Sequence, residues 1–133
     1  MMLGTSHLRL NCQARPEFAK PIRHAVAAFL AVFDLDRDFA DDVLTAIGEA
    51  LANAIEHAYA GMDPADIELH AAYEDRVKLC VDVYDRGRFI ERERQPNRGF
   101  GIRIVEAIAS DVQIDTGDGT RVHMEFLPPP VAG

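Results

Sequence analysis

With 133 residues and a formal net charge of −8, the chain has the length of one domain that can bury a real core. That charge argues against non-specific binding to nucleic acid or to an anionic membrane surface. The two cysteines, Cys12 and Cys80, fit no metal-ligand spacing and read as buried small apolar residues of a reduced compartment. Met1 to His7 is too polar for a signal peptide, and the longest apolar run, 25–33, is far short of a membrane span. A cytoplasmic protein is expected.

Residues 7–13 alternate, with Leu8, Leu10 and Cys12 on one side, and predict a short strand. Pro16 opens a helix with the apolar stripe Phe18, Ile22, Val26, Phe29, Leu30 and Phe33; Pro21 lies in its first turns, where the regular part begins. Asp36 or Asp38 caps a second helix, whose central part is 45–59. There Glu49, Asn53 and His57 follow at four-residue steps and share one stripe. Val43, Leu44, Ile47, Leu51, Ile55 and Ala58 form the opposite, apolar stripe. Asn is a poor helix-interior residue, because its amide competes with the backbone. The polar front either serves a metal-bound anion or simply faces solvent.

Gly61-Met62-Asp63-Pro64 ends this helix with turn chemistry. Two strands follow, 65–73 with Ile67, Leu69 and Ala71, and 76–84 with Val77, Leu79, Val81 and Val83; Glu74-Asp75 makes the hairpin between them. The second strand runs into Asp85-Arg86-Gly87-Arg88-Phe89, then a polar loop, 91–98, and a short helix from Ile102 to about Ala109. A strand at 111–115, a turn at Gly117-Asp118-Gly119 and a last strand at 121–127 complete the chain, before Pro128-Pro129-Pro130. The order β-α-α-β-β-loop-α-β-β predicts an α+β two-layer sandwich: a mostly antiparallel sheet covered on one face by helices, in one domain spanning 1–133.

Three stretches carry chemistry, each with an ordinary alternative. Asp85-x-Gly87 ends a strand as a ligand loop or as a turn. Gly99-x-Gly101 opens a helix as punctuation, or to set free N–H groups against phosphate. Gly119-Thr120 is a hairpin turn or part of the same site. Residues 86–103 hold six arginines against Glu91 and Glu93, which suits either an anion-binding loop or a merely soluble one. The order of these stretches is more specific than any one of them.

From Glu49 to Phe126 that order resembles the GHKL, or Bergerat, ATP-binding domain of gyrases, histidine kinases and MutL. Within it, the nearest resemblance is to the small anti-sigma-factor serine/threonine kinases. Glu49-x-x-x-Asn53-x-x-x-His57 resembles the N box, Asp85-x-Gly87 the first glycine box, Gly99-Phe100-Gly101-Ile102 the second, and Gly119-Thr120 the closing Gly-Thr. The resemblance implies ATP and Mg²⁺ as cofactors, with Asn53 giving its amide oxygen to Mg²⁺. It implies Asp85 as acceptor for the adenine amine, Gly87 for close backbone approach, and Thr120 beside Asp85. Gly99, Phe100, Gly101 and Ile102 would border the phosphates, and Arg98 is the arginine best placed for phosphate charge, ahead of Arg92 and Arg94. Glu49 would be the general base toward a substrate hydroxyl; His57 would pack or orient. The implied partners are a sigma factor and a STAS-type anti-sigma-factor antagonist phosphorylated on Ser or Thr. A homodimer is left open, and neither nucleic acid nor membrane is implied as a direct partner.

The chain departs from the family at Arg88 and Phe89, which replace the second glycine of Asp-x-Gly-x-Gly, and in a short lid, 90–98. No phosphoacceptor-histidine region precedes the domain, so a complete sensor histidine kinase is not expected. Two readings compete: a kinase, favoured by Glu49, and a regulatory module of the same fold that binds nucleotide poorly and acts by partner exchange, favoured by the abbreviated box and lid. A third is an α+β domain with no ligand.

Overall fold

The computed structural model describes residues 4–58, 65–86 and 100–130, with His57, Ala58 and Phe100 described by backbone alone. The elements are β1 (Thr5–Gln13), α1 (Ala19–Ala31), α2 (Arg37–Asn53), β2 (Asp66–Glu74), β3 (Lys78–Asp85), α3 (Phe100–Ile108), β4 (Asp111–Gly117) and β5 (Gly119–Phe126). A single turn of tighter helix, Pro16–Phe18, leads into α1. Pro21 lies in the first turn of α1, where backbone N–H groups have no intrahelical partner to lose. Asp36 caps α2: its Oδ2 accepts a hydrogen bond from the Phe39 N–H at 3.1 Å.

The five strands form one sheet in the order β1-β2-β3-β5-β4, and every pairing is antiparallel. Period-2 alternation gives the sheet two unlike faces. Ile67, Leu69, Ala71 and Tyr73 of β2, Leu79, Val81 and Val83 of β3, and Val122, Met124 and Phe126 of β5 are buried. They meet Ile22, Val26 and Leu30 of α1 and Val43, Ala46, Ile47, Ala50 and Leu51 of α2 in one core. The expected α+β two-layer sandwich is the observed fold.

Local differences have local causes. The β2–β3 turn is wider than a Glu74-Asp75 hairpin, because Arg76 takes a left-handed φ of 62° and its N–H donates to the Tyr73 hydroxyl at 3.0 Å. Val77, expected in the strand, therefore sits in the turn and is 50% exposed. At the other end of the sheet, β5 begins at Gly119, which pairs with Gly117 across Asp118. The turn is thus one residue, and both flanking glycines belong to strands. The regular helix α2 stops at Asn53 and gives way to a wider, π-type turn, Ala54–Ala58, so the four-residue alignment of Glu49 and Asn53 is not continued to His57.

Candidate nucleotide site

Asn53 is the last residue of α2 and is buried, at 8% exposure. A merely solvated front is therefore the wrong description of this part of the helix. Its Oδ1 is buried and has no hydrogen-bond partner among the described residues. Glu49, one turn earlier, is half-buried. The first turn of α3 lies against it: a Cβ added to Gly101 would stand 3.2 Å from Glu49 Oε2. The second glycine box and the N box are thus in contact through the smallest possible side chain. Ile102 points inward at 9% exposure, beside the fully buried Val105.

Asp85 closes β3 and pairs in register with Thr120 of β5; the two are 6% and 3% exposed. The Thr120 hydroxyl is the other buried side-chain oxygen without a partner among the described residues. Gly119 sets this pair. Its φ is +85°, and an added Cβ would come within 2.1 Å of the Asp85 carbonyl oxygen and 2.7 Å of the Arg86 Cα. Only a residue without a Cβ lets β5 pass so close to the end of β3.

A cavity of about 460 Å³ opens beside this pair, lined by Tyr84, Asp85, Arg86, the β4–β5 turn and Arg121. Four further acids, Asp66, Glu68, Asp115 and Asp118, also line it, and they make it a poor place for phosphate. Glu49, Asn53 and Gly101 lie outside that cavity. Structurally, the candidate residues fall into two groups, Glu49–Asn53–Gly101 on the helices and Asp85–Thr120 at the sheet end. The turn Ala54–Ala58 packs on β3 and joins the two. The expected roles of Gly87, Arg92, Arg94, Arg98 and Gly99 lie outside the described residues, as do the side chains of His57 and Phe100 and the turn at 61–64.

Orphaned oxygens suit the ligands that the motifs imply. A carboxamide oxygen is a hard donor of the kind Mg²⁺ takes, and a buried hydroxyl beside a carboxylate can meet the polar edge of a base. The match to known families agrees with this geometry. Residues 12–126 match the histidine kinase-like ATPase domain. The chain belongs to that family. The anti-sigma F factor of Pasteuria penetrans is 31% identical over 128 residues, covering 86% of this chain and 83% of that protein. The serine-protein kinase RsbW of Oceanobacillus iheyensis is 24% identical over 140 residues, covering 92% and 87%. Among solved structures, the RsbU and RsbW domains of Rv1364c from Mycobacterium tuberculosis align over 94% of this chain with a TM-score of 0.76 and 26% identity. The chain spans 33% of that longer protein. Within the ATPase family it therefore stands with the anti-sigma serine kinases.

One group of polar residues escaped the sequence reading. On the sheet face away from the helices, Asp82 Oδ1 accepts from Arg121 Nε at 2.9 Å and lies 2.7 Å from His123 Nδ1. Burial works to lower the His123 pKa, but its bonds to Glu125 and Asp82 hold it above the ordinary value. The His123 hydrogen bond in turn holds the Glu125 carboxyl below the usual range. The signal was there in the outward positions of two strands, Lys78, Cys80 and Asp82 against Arg121, His123 and Glu125. Only the register reveals the pairs.

The Gly119 geometry makes a direct prediction. Gly119→Ala should destabilise the protein by at least about 1–3 kcal/mol, the usual cost of a strained backbone position, because the clash is with backbone and cannot rotate away. Gly117, with open space around its Cβ direction, is the control: Gly117→Ala should stay within about 0.5 kcal/mol. Urea unfolding midpoints compare the two, and equal midpoints would show that the close approach at Gly119 is not a constraint.

Proposed function

We propose that this chain is an ATP- and Mg²⁺-dependent protein serine/threonine kinase, acting as one domain over 1–133, that phosphorylates a STAS-type anti-sigma-factor antagonist and holds a sigma factor. The carrying observation is the pair of buried oxygens, Asn53 Oδ1 and Thr120 Oγ1, that have no hydrogen-bond partner among the described residues. Each orphan costs about 1–3 kcal/mol in a protein without ligand, and both fall on motif positions of an ATPase family. The names of the relatives, serine-protein kinase and anti-sigma F factor, support a protein serine as the acceptor and a sigma factor as a partner.

Asn53 would hold Mg²⁺ through Oδ1; the metal, when bound, supplies positive charge to the phosphates. Asp85 accepts the adenine amine, with Thr120 beside it to hydrogen-bond at the same edge. Gly101 leaves the first turn of α3 open, where backbone N–H groups and the helix dipole favour negative charge. Glu49 is the general base. Its carboxylate takes the proton of the substrate hydroxyl as that oxygen bonds to the γ-phosphorus and ADP departs.

The absence of a second glycine at Arg88–Phe89 favours one alternative, a module that binds nucleotide weakly and acts by partner exchange. Three measurements separate the readings. Asn53→Ala should weaken Mg-ATP at least about 10-fold, roughly 1.4 kcal/mol; unchanged calorimetric affinity would remove Asn53 from the site. Asp85 predicts a preference for ATP, since the carboxylate would face the guanine carbonyl and repel it. Equal competition by GTP in a displacement assay would make Asp85 a turn residue only. Glu49→Ala should keep Mg-ATP affinity within a few-fold yet slow phosphotransfer to the antagonist by about 10²–10⁴-fold. Affinity and transfer are measured on the same preparation. Wild-type protein that binds ATP without transfer to its antagonist supports the exchange module, and equal activity in both proteins reduces Glu49 to a surface carboxylate.

A further inference from the structure

The face of the sheet turned away from the helices holds a donor set that phosphoryl transfer does not use. Cys80 pairs with Glu125 across β3 and β5, and Asp82 pairs with His123 one step along. The ligand atoms of Cys80, His123 and Glu125 all lie within 4.8 Å of one another. Nε2 of His123 faces Glu125 Oε2 at 2.9 Å, while Nδ1 faces Asp82 Oδ1 at 2.7 Å. We propose that Cys80, His123 and Glu125 form a binding site for Zn²⁺, with Asp82 as the carboxylate that orients the His123 ring.

The chemistry of the set selects the ion. A thiolate, an imidazole nitrogen and a carboxylate oxygen are the three donor types that zinc accepts, and a thiolate disfavours the hard cations Mg²⁺ and Ca²⁺. Zinc bonds of about 2.0–2.3 Å in a tetrahedron put donor atoms roughly 3.5 Å apart. Spacings of up to 4.8 Å therefore have to close by on the order of 1 Å while the 2.9 Å His123–Glu125 pair opens by roughly half an ångström, which side-chain rotation on two adjacent strands supplies. Asp82 on the far nitrogen is the arrangement in which a carboxylate fixes a metal-binding histidine in the tautomer that ligates through Nε2. Arg121 Nε holds the same Asp82 oxygen at 2.9 Å, so the carboxylate is itself anchored. Lys78 reaches the other oxygen of Glu125, Oε1, at 3.7 Å, and leaves Oε2 to the site. The set offers three protein ligands, and a fourth position is left for water or for a ligand from outside the chain. Binding replaces the thiol proton of Cys80 and the Nε2 proton that His123 donates to Glu125, and both pass to solvent. No spacing rule finds this site, because Cys80 lies 43 residues before His123 and 45 before Glu125 and they meet through register (Cys80 opposite Glu125).

The site is independent of the kinase reading, since it lies on the opposite face of the sheet from α2 and α3. The test uses the full chain stripped of metal by a chelator and titrated with Co²⁺ as a coloured stand-in for Zn²⁺. One equivalent should bind with a thiolate-to-cobalt charge-transfer band, and Zn²⁺ should displace it where excess Mg²⁺ does not. Cys80→Ser should abolish the band and weaken Zn²⁺ at least about 10-fold, and Asp82→Asn should weaken it about 10–100-fold. Cys12→Ser should change neither. Far-UV circular dichroism checks that each variant is folded; if Cys80→Ser does not fold, His123→Gln carries the same expectation. A wild-type protein with no thiolate band, or a band that survives Cys80→Ser, overturns the proposal.

Discussion

The close passage of Gly119 over the end of β3 is the constraint on which the site end of the molecule depends. With an added Cβ only 2.1 Å from the Asp85 carbonyl oxygen, any other residue would force β5 away. The Asp85–Thr120 pair would open, and with it the register that runs back through Val83–Val122 and Val81–Met124. A slip of one residue in that register would be severe, because strand side chains alternate between faces. Asp85 would turn out to solvent and Tyr84 would turn into the core. One glycine thus helps to keep a buried carboxylate beside a buried hydroxyl and to keep Cys80 opposite Glu125 on the other face.

Much of this was legible in the sequence where periodicity and local chemistry agree. The strands of the sheet announce themselves by alternation, and α2 by an aspartate placed to receive the Phe39 N–H. Both signals are local, so the element order and the fold class follow from them, and the cap is narrowed to Asp36 or Asp38. Val77 shows the limit. It continues the apolar alternation of Leu79, Val81 and Val83, yet the backbone turns at Arg76, held by the Tyr73 hydroxyl. That hydroxyl comes from three residues back in the chain, and alternation carries no information about the bond it makes. The Asp82–His123–Glu125 network was hidden for the same reason. Each residue reads as an ordinary outward-facing polar side chain until register sets the strands side by side.

The candidate site was legible as an order of motifs and less so as an arrangement. Glu49 and Asn53 were expected to share a helical stripe, and Gly101 was expected near phosphate. That Gly101 lies against Glu49 itself is a packing fact, set by how α3 crosses α2. The change from α-helix to a wider turn directly after Asn53 was not foreseen. Ala54-Ile55-Glu56-His57-Ala58 contains no Gly or Pro to announce a break, so intrinsic propensity gives no warning. Wider turns of this kind are frequent at functional sites, and here the turn packs on β3, the strand that ends in Asp85.

Stability alone does not explain why Asn53 and Thr120 are where they are. Asn is unfavourable in a helix interior by several tenths of a kcal/mol relative to Ala, and its buried oxygen adds the larger cost of an unmade hydrogen bond. Alanine at 53 and valine at 120 would remove both orphans and leave the surrounding apolar packing intact. Among the described residues, folding therefore gains no hydrogen bond from either polar atom. A ligand that supplies the missing partners recovers the cost on binding, and the recovered energy appears as affinity for the folded state. Two such atoms, one on the helix layer and one at the sheet end, favour a ligand with polar groups at both extremes, a requirement that a nucleotide, with a base at one end and phosphates at the other, meets.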